Sequence, residues 1–137
     1  MTTSRPDEPD QRRGERGDLL DPCCPTRQLL DRIGTKWTSM AVKVLAEEAP
    51  NEIRFADLRR RMAGISQKML SVTLQSLVRD GLVARRVEPT VPPAVHYRLT
   101  ELGLSLEGPL SALRVWAETH MPEIDRSNRL ADESPPR

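Results

Sequence analysis

The 137-residue sequence holds little of what enzymes and metalloproteins are built from. It has two histidines and two adjacent cysteines, so neither a metal-ligand spacing nor a disulfide framework is present. A glycine-rich phosphate loop and a nucleophile elbow are also missing. Four aromatic residues are too few for a platform that stacks single-stranded nucleic acid. The sequence therefore predicts no enzymatic activity, no metal site and no cofactor.

Long apolar runs are missing as well. No stretch approaches the roughly 18 apolar residues of a membrane span, and no charged-then-apolar leader opens the chain. We therefore expect a soluble, cytoplasmic protein without a membrane partner, and the reduced cysteine pair fits that compartment. Residues 1–22 and 122–137 are charged and lack periodic apolar positions, which predicts disordered tails. Residues 23–121 remain as one domain with a modest core.

What the chain does have is a local excess of positive charge. Its net charge is only +1, yet between Arg54 and Arg98 nine arginine and lysine residues accompany three acidic ones, a balance of +6. The flanking segments are acidic, with balances of −2 before Arg54 and −3 after Arg98. Such a segment favours a polyanionic partner, although a solvated basic face would have the same composition.

One amphipathic helix is predicted inside this basic segment, after Gly64. Its apolar positions have helical spacing and are Leu70, Leu74, Leu77 and Val78. The opposite face is polar and carries no carboxylate; its residues are Gln67, Lys68, Ser71 and Gln75. A helix that lies among phosphates would be repelled wherever it carried an acid. Ser66 is a suitable N-cap, and Gly64 can take the positive φ of a tight turn.

The elements before this helix can be placed by the same periodicity. We expect a short helix that ends at Gly34, a second helix that ends near Pro50, and a short strand or extended segment at residues 53–55. A third helix is predicted over residues 57–62, directly before the turn at Gly64.

After the amphipathic helix the hydrophobic period changes from 3.6 to 2, which predicts a hairpin. The first strand begins at Val83, and the loop EPTVPPA is stiffened by three prolines. In the second strand Tyr97 should face one way and His96 the other, toward solvent. Thr100 then caps a long C-terminal helix, which Pro109 must kink or split.

This order predicts a mainly α-helical fold with a small β-wing. Two helices joined by a glycine-containing turn, the second of them basic, form a helix-turn-helix, and the hairpin makes it a winged helix-turn-helix. Because the second helix of this motif docks in the major groove, the predicted partner is double-stranded DNA.

Four segments of the chain, in order, are CPTRQLLDRIGTKWT, RFADLRRRMAGISQKMLSVTLQSLVRDGLVARRV, PPAVHYRLTELG and LSALRVWA. Across residues 24–117 they resemble the HxlR-type winged helix-turn-helix transcription regulators of bacteria. The resemblance implies a homodimer, joined through its terminal helices, on an operator with twofold-related half-sites. It also implies, as in some members, a sensor of electrophiles, aldehydes or oxidants at Cys24. One departure is Ala56, where relatives often carry a small polar helix cap.

The residues nearest the base edges are predicted to be Gln67 and Lys68. Lysine can donate to guanine and glutamine can pair with adenine, although both could instead contact phosphate or water. Ser71 and Gln75 lie further along the helix and are expected at the sugar-phosphate backbone. Ser66 adds a backbone amide near a phosphate, beyond its capping role.

Arginines outside the helix complete the predicted DNA contacts. In the run at residues 59–61, one or two side chains should face phosphate while another is only solvated. Two arginines alternate along the first strand of the hairpin, so only one of them can point toward DNA. The arginines assigned to the interface are Arg59, Arg60, Arg85, Arg86 and Arg98.

The C-terminal helix and the cysteines carry the remaining predictions. An apolar face there would be buried by a twofold dimer; its residues are Leu106, Leu110, Leu113 and Trp116. Pro25 suits the first position of a helix, which places Cys24 near the N-cap, where free N–H groups favour a reactive thiolate. Cys23 could then resolve the oxidised sulfur, or Cys24 could be a small packed residue and no sensor.

We therefore expect a repressor that responds to a small-molecule or oxidant effector. The alternative is a winged-helix module for protein interaction or dimerisation, without specific readout of DNA.

Overall fold

The computed structural model describes residues 20, 21 and 23–134. In that part of the chain, five helices and three strands follow in the order α1 (Pro25–Ile33), α2 (Lys36–Glu48), β1 (Ile53–Arg54), α3 (Phe55–Arg61), α4 (Gln67–Arg79), β2 (Val83–Glu88), β3 (Ala94–Leu99) and α5 (Glu101–Glu133). The mainly helical class with a small β-wing is confirmed. None of these described helices combines the length and the apolar character of a membrane span.

The chain divides after Met40 into two compact units, and the first of them contains α1. Cys24 is the N-cap of α1 with extended backbone, and Pro25 occupies the start of the helix, as predicted. The structure describes every residue of α1, and none of them is buried. Leu29 and Leu30 are among its exposed residues. This helix therefore presents apolar side chains to solvent.

The second unit holds a three-stranded antiparallel sheet with β3 in the centre. Arg85 of β2 lies opposite Tyr97 of β3, and Arg86 lies opposite His96. Residues directly opposite each other share a face of the sheet, so Arg85 and Tyr97 lie on one face and Arg86 and His96 on the other. The alternation predicted for the second strand is confirmed.

The helices of this unit cover the sheet and enclose the core. α4 packs against β2, α3 against β1 and β3, and the beginning of α5 against β3. Fully buried side chains from α3 and α4 include Leu58, Leu70 and Leu74. Gly64, between α3 and α4, has φ 87° and Gly81, after α4, has φ 78°. Both are left-handed conformations that favour glycine, as the turn predicted at Gly64 requires.

The beginning of α5 is fixed by the Thr100 cap and by the close approach of Gly103 to the turn after α4. The Thr100 hydroxyl accepts a hydrogen bond from the Gly103 N–H at 3.1 Å and donates to the Gly81 carbonyl at 2.7 Å. A Cβ atom at Gly103 would lie 2.0 Å from the Leu82 carbonyl oxygen. The predicted Thr100 cap is confirmed, and only glycine fits three residues later.

One expectation about helix boundaries is wrong, and of the kink or split predicted at Pro109 the split is excluded. α3 begins at Phe55, with Arg54 as an N-cap that makes no side-chain capping bond, so Ala56 lies in the first turn and not at the cap. α5 is continuous, with Pro109 and Pro122 inside it, so Pro109 does not split it.

The predicted C-terminal tail is also helical as far as Glu133. The sequence analysis treated this segment only as charged, but glutamate, arginine, leucine and alanine are all good helix formers. Residues 1–19 and 22 of the predicted N-terminal tail, and residues 135–137, lie outside the described residues.

Candidate nucleic-acid interface

α4 is oriented by its cap and by its buried side. The Ser66 hydroxyl accepts a hydrogen bond from the Met69 N–H at 3.0 Å, which confirms the predicted N-cap. The buried residues are Leu70, Thr73, Leu74 and Leu77. The face opposite them carries exposed side chains at positions i, i+4, i+7 and i+11, which are Lys68, Val72, Gln75 and Arg79. Since α4 contains no acidic residue, this outward face is free of negative charge.

A groove of about 810 Å³ borders the beginning of α4. Its lining brings Arg59 and Arg60 of α3 beside Gln67 of α4. Arg59 Nε donates to the Ile65 carbonyl at 3.4 Å, a neutral partner that leaves the charge of the guanidinium uncompensated. Arg60 forms an exposed ion pair with Asp57, which solvent screens. Two positive side chains therefore stand next to the helix end predicted to read bases.

A second groove, of about 390 Å³, lies between α4 and the hairpin. It is lined by Ser71 and Gln75 of α4 together with Arg85 and Tyr97 of the sheet. Hydroxyl, amide and guanidinium groups are the donors that proteins use for phosphate and sugar oxygens. The structure thus brings together three of the predicted contact residues, and Tyr97 joins them.

The other two predicted arginines of the hairpin lie on its opposite face. Arg86 donates to both carboxylate oxygens of Glu52, from Nε at 3.0 Å and from Nη2 at 2.8 Å. This hydrogen bond is the main reason that the pKa of Glu52 lies below its usual value. Arg98, which alternates with Tyr97 along β3, is on the same face as Arg86. Of the alternating pair on β2, Arg85 is therefore the residue that lines the groove beside α4.

His96, which was expected to face solvent, is paired, and so is Arg61 of the arginine run at residues 59–61. The His96 side chain is only 13% exposed, and its Nε2 lies 2.9 Å from Glu88 Oε2, so the solvent-facing prediction is wrong. The hydrogen bond from His96 lowers the pKa of Glu88. Arg61 binds Glu47 at 2.5 Å and Glu48 at 2.8 Å, which ties α3 to α2.

Sequence reasoning missed the apolar part of the outward face. Val72 is 53% exposed and lies four residues after Lys68 and three before Gln75. Met69 is also exposed, at the side of the same face. The sequence analysis selected polar residues only, although the spacing from Lys68 would have identified Val72.

The two cysteines differ in access. Both are free thiols; Cys24 is fully buried, and Cys23 is exposed. The Cys24 N–H donates to the Asp21 carbonyl at 3.0 Å, and the Cys23 N–H donates to Asp21 Oδ1 at 2.8 Å. The predicted sensor is therefore the less accessible thiol, and the predicted resolving residue is the more accessible one.

The predicted dimer face is only partly available in the single chain. Leu113 and Trp116 are exposed, Leu106 is half-buried, and Leu110 is buried and so drops out of the face. Further exposed apolar side chains along α5 are Leu102, Leu104, Val115, Met121, Ile124 and Leu130. α5 therefore presents more apolar surface than the sequence analysis selected.

Comparisons with known proteins agree with this geometry. The model of the HxlR-like helix-turn-helix family matches residues 32–125. The HTH-type transcriptional regulator YtfH of Escherichia coli K12 is 39% identical over 108 residues, which cover 79% of this chain and 83% of that protein.

Two solved structures are similar to the chain at comparable identity. The transcriptional regulator YtfH from Salmonella typhimurium matches with a TM-score of 0.72 and 36% identity, and covers 83% of this chain and 99% of its own. The redox regulator HypR in its reduced form matches with a TM-score of 0.64 and 34% identity, and covers 74% and 98%. With a family match over residues 32–125 and the winged fold around α4, the chain belongs to the HxlR-like helix-turn-helix family of transcriptional regulators.

Proposed function

We propose that the protein is a dimeric repressor that binds a specific double-stranded DNA operator with twofold-related half-sites. The observation that carries the proposal is the acid-free outward face of α4, with a basic groove on either side. Relatives named as HTH-type transcriptional regulators support it.

The contacts divide into base readout and backbone binding. Gln67 and Lys68 are in the first turn of α4, the part of a recognition helix that reaches base edges. Arg59 and Arg60 on one side, and Ser71, Gln75 and Arg85 on the other, suit the phosphates that flank the major groove. Arg86 is engaged by Glu52, and we assign it to the positioning of the wing.

Dimerisation would bury the apolar surface of both terminal helices. α1 has no buried residue, and α5 exposes Leu113 and Trp116. A large apolar patch on a small soluble chain marks an interface, and a twofold contact covers the patch on both copies. Two copies also match an operator with two half-sites.

Regulation by oxidants or electrophiles at Cys24 is the finer part of the proposal. Cys24 is the N-cap residue of α1 and lies next to a second thiol, Cys23, and the similarity to a redox regulator supports the role of a sensor. An oxidant such as diamide takes two electrons and two protons from a pair of thiols, which join as a disulfide, and is itself reduced to a hydrazine. A quinone would instead accept the thiolate by addition.

The test of base readout compares Lys68→Ala with Lys43→Ala. Lys43 is an exposed lysine on α2 that pairs with Glu47, so its loss removes the same charge away from α4. Binding is measured on the DNA upstream of the protein's own gene and on a scrambled duplex, at one salt concentration. Lys68→Ala should lose about 1–3 kcal/mol on the operator and much less on the scrambled duplex. Lys43→Ala should bind both duplexes as the wild type does. Equal losses of Lys68→Ala on both duplexes would contradict base readout at Lys68.

A further inference from the structure

The outward face of α4 has an apolar centre within a polar surround. Val72 lies on this face between Lys68 and Gln75, one turn from each along the helix, and it is 53% exposed. The buried stripe of α4 is on the other side and is complete without it. The position of Val72 is therefore not explained by packing within the chain.

Helix formation does not explain Val72 either. A β-branched residue restricts its side-chain rotamers against the preceding turn, so valine is a poorer helix former than alanine. An exposed site in the middle of a helix would be better served by alanine, glutamate or lysine. Val72 therefore lowers the stability of α4 in the free protein, and we expect it to contribute favourably when α4 is bound to a partner.

The partner surface must be apolar where it contacts Val72 and polar where it contacts Lys68 and Gln75. In the major groove of DNA, the 5-methyl group of thymine is the apolar group, and it lies among the acceptors and donors of the base edges and the phosphates. Lys68 and Gln75 flank Val72 with donors for those polar groups. Because α4 contains no carboxylate, nothing on the helix repels the phosphates of the DNA backbone on either side.

We propose that Val72 determines specificity by packing its methyl groups against the 5-methyl group of a thymine in each half-site of the operator. The inference rests on the proposed function, because it assumes that α4 enters the major groove. It adds the class of base read at the centre of the helix, where the sequence analysis named only polar contacts.

The test removes the methyl groups of Val72 and the 5-methyl group of thymine, first separately and then together. In the mapped operator each thymine is replaced singly by deoxyuridine, which keeps its base pairing and loses only the 5-methyl group. Affinities are measured for the wild type, for Val72→Ala and for Ser71→Ala. Burial of one methyl group is worth about 0.8 kcal/mol, which corresponds to about a fourfold change in affinity.

For the wild type we expect a loss of about fourfold at one thymine of a half-site and little change at the others. Val72→Ala should bind the unmodified operator more weakly and should no longer distinguish thymine from deoxyuridine at that position. Ser71→Ala should also bind more weakly but should keep the fourfold difference. Thermal unfolding of free Val72→Ala should match or exceed that of the wild type, which separates a binding role from a structural one.

Three results would overturn the inference. If the wild type binds its operator specifically but tolerates deoxyuridine at every thymine, or if Val72→Ala keeps the same loss, no methyl contact exists at Val72 while the proposed function stands. If the wild type binds no operator specifically, the proposed function fails and the inference fails with it.

Discussion

Cys23 and Cys24 are neighbours in the chain, yet they meet solvent differently. Cys24 is the fully buried N-cap of α1, and Cys23 is exposed. Because none of the residues of α1 is buried within its own chain, only contacts with a partner copy would hold this helix in place, and opening it would expose Cys24 to a reagent. If Cys24 is the sensor, its oxidation would be coupled to release of α1, a predicted part of the dimer interface.

This coupling gives a prediction for the two thiols. Diamide or a quinone should release the wild-type protein from its operator, as measured by fluorescence anisotropy of labelled DNA. Cys24→Ser should stay bound, and Cys23→Ser should respond in part because it lacks the resolving thiol. If Cys24→Ser is released as readily as the wild type, Cys24 is structural and the effector acts elsewhere.

At the scale of elements, the two faces of the hairpin have separate tasks. Arg85 faces the groove beside α4, whereas Arg86 joins β2 to Glu52, the residue before β1. Because the hydrogen bond from Arg86 holds the pKa of Glu52 below its ordinary value, the pair stays ionised to a lower pH than a free glutamate would. Its contribution to folding is then present above the ordinary pKa of glutamate and is lost as the pH falls through the lowered value.

The prediction concerns the salt dependence of DNA binding at neutral pH. Arg85→Ala should weaken binding to all sequences similarly and reduce the slope of log affinity against log salt by about 1, because one phosphate contact is lost. Arg86→Ala should leave that slope unchanged, since Glu52 already neutralises the guanidinium. Glu52→Gln is the matched control, because it removes the charge of the partner and keeps Arg86. A reduced slope for Arg86→Ala would mean that this arginine contacts phosphate after all.

Elements with a strong local signal could be predicted from the sequence. The period of Leu70, Leu74 and Leu77, the Ser66 cap and the positive φ of Gly64 placed α4 correctly, because each depends on neighbours within a few residues. Partners that are distant in the chain could not be predicted. Arg86 and Glu52 are 34 residues apart, and only the register of β1, β3 and β2 brings them together.

Two features of α5 could not be predicted from its own sequence pattern. Pro109 and Pro122 each remove one helical hydrogen bond, but the bonds on either side keep the helix continuous, so a split at Pro109 is excluded. Burial of Leu110 depends on how α5 meets the rest of the chain, so its period on the helix could not separate it from exposed Leu113.

For the whole molecule, binding to two half-sites requires a dimer. Trp116 is 52% exposed in the single chain, so its loss should change the stability of a monomer little. In the dimer it would be a buried aromatic anchor, and such anchors are typically worth about 2 kcal/mol or more. Because the dimer carries two copies of Trp116, Trp116→Ala should raise the dimer dissociation constant at least about thirtyfold and weaken operator binding indirectly.

Sedimentation velocity over a concentration series measures this change. Val91→Ala is the matched control, because Val91 is a fully exposed apolar residue in the loop of the hairpin and away from α5. The wild type should sediment as a dimer at micromolar concentration. A monomeric wild type, or an equal effect of the two substitutions, would contradict dimerisation through α5.

Quantitative footprinting of the DNA upstream of the gene tests whether two copies of α4 read a specific DNA sequence. We expect two protected half-sites related by a twofold axis, with centres about one helical turn apart or a multiple of it. We also expect an affinity at least about a thousandfold higher than for scrambled DNA at the same salt concentration. Uniform protection, with equal affinity for both duplexes, would contradict sequence reading by α4 and leave a winged-helix module without specific readout.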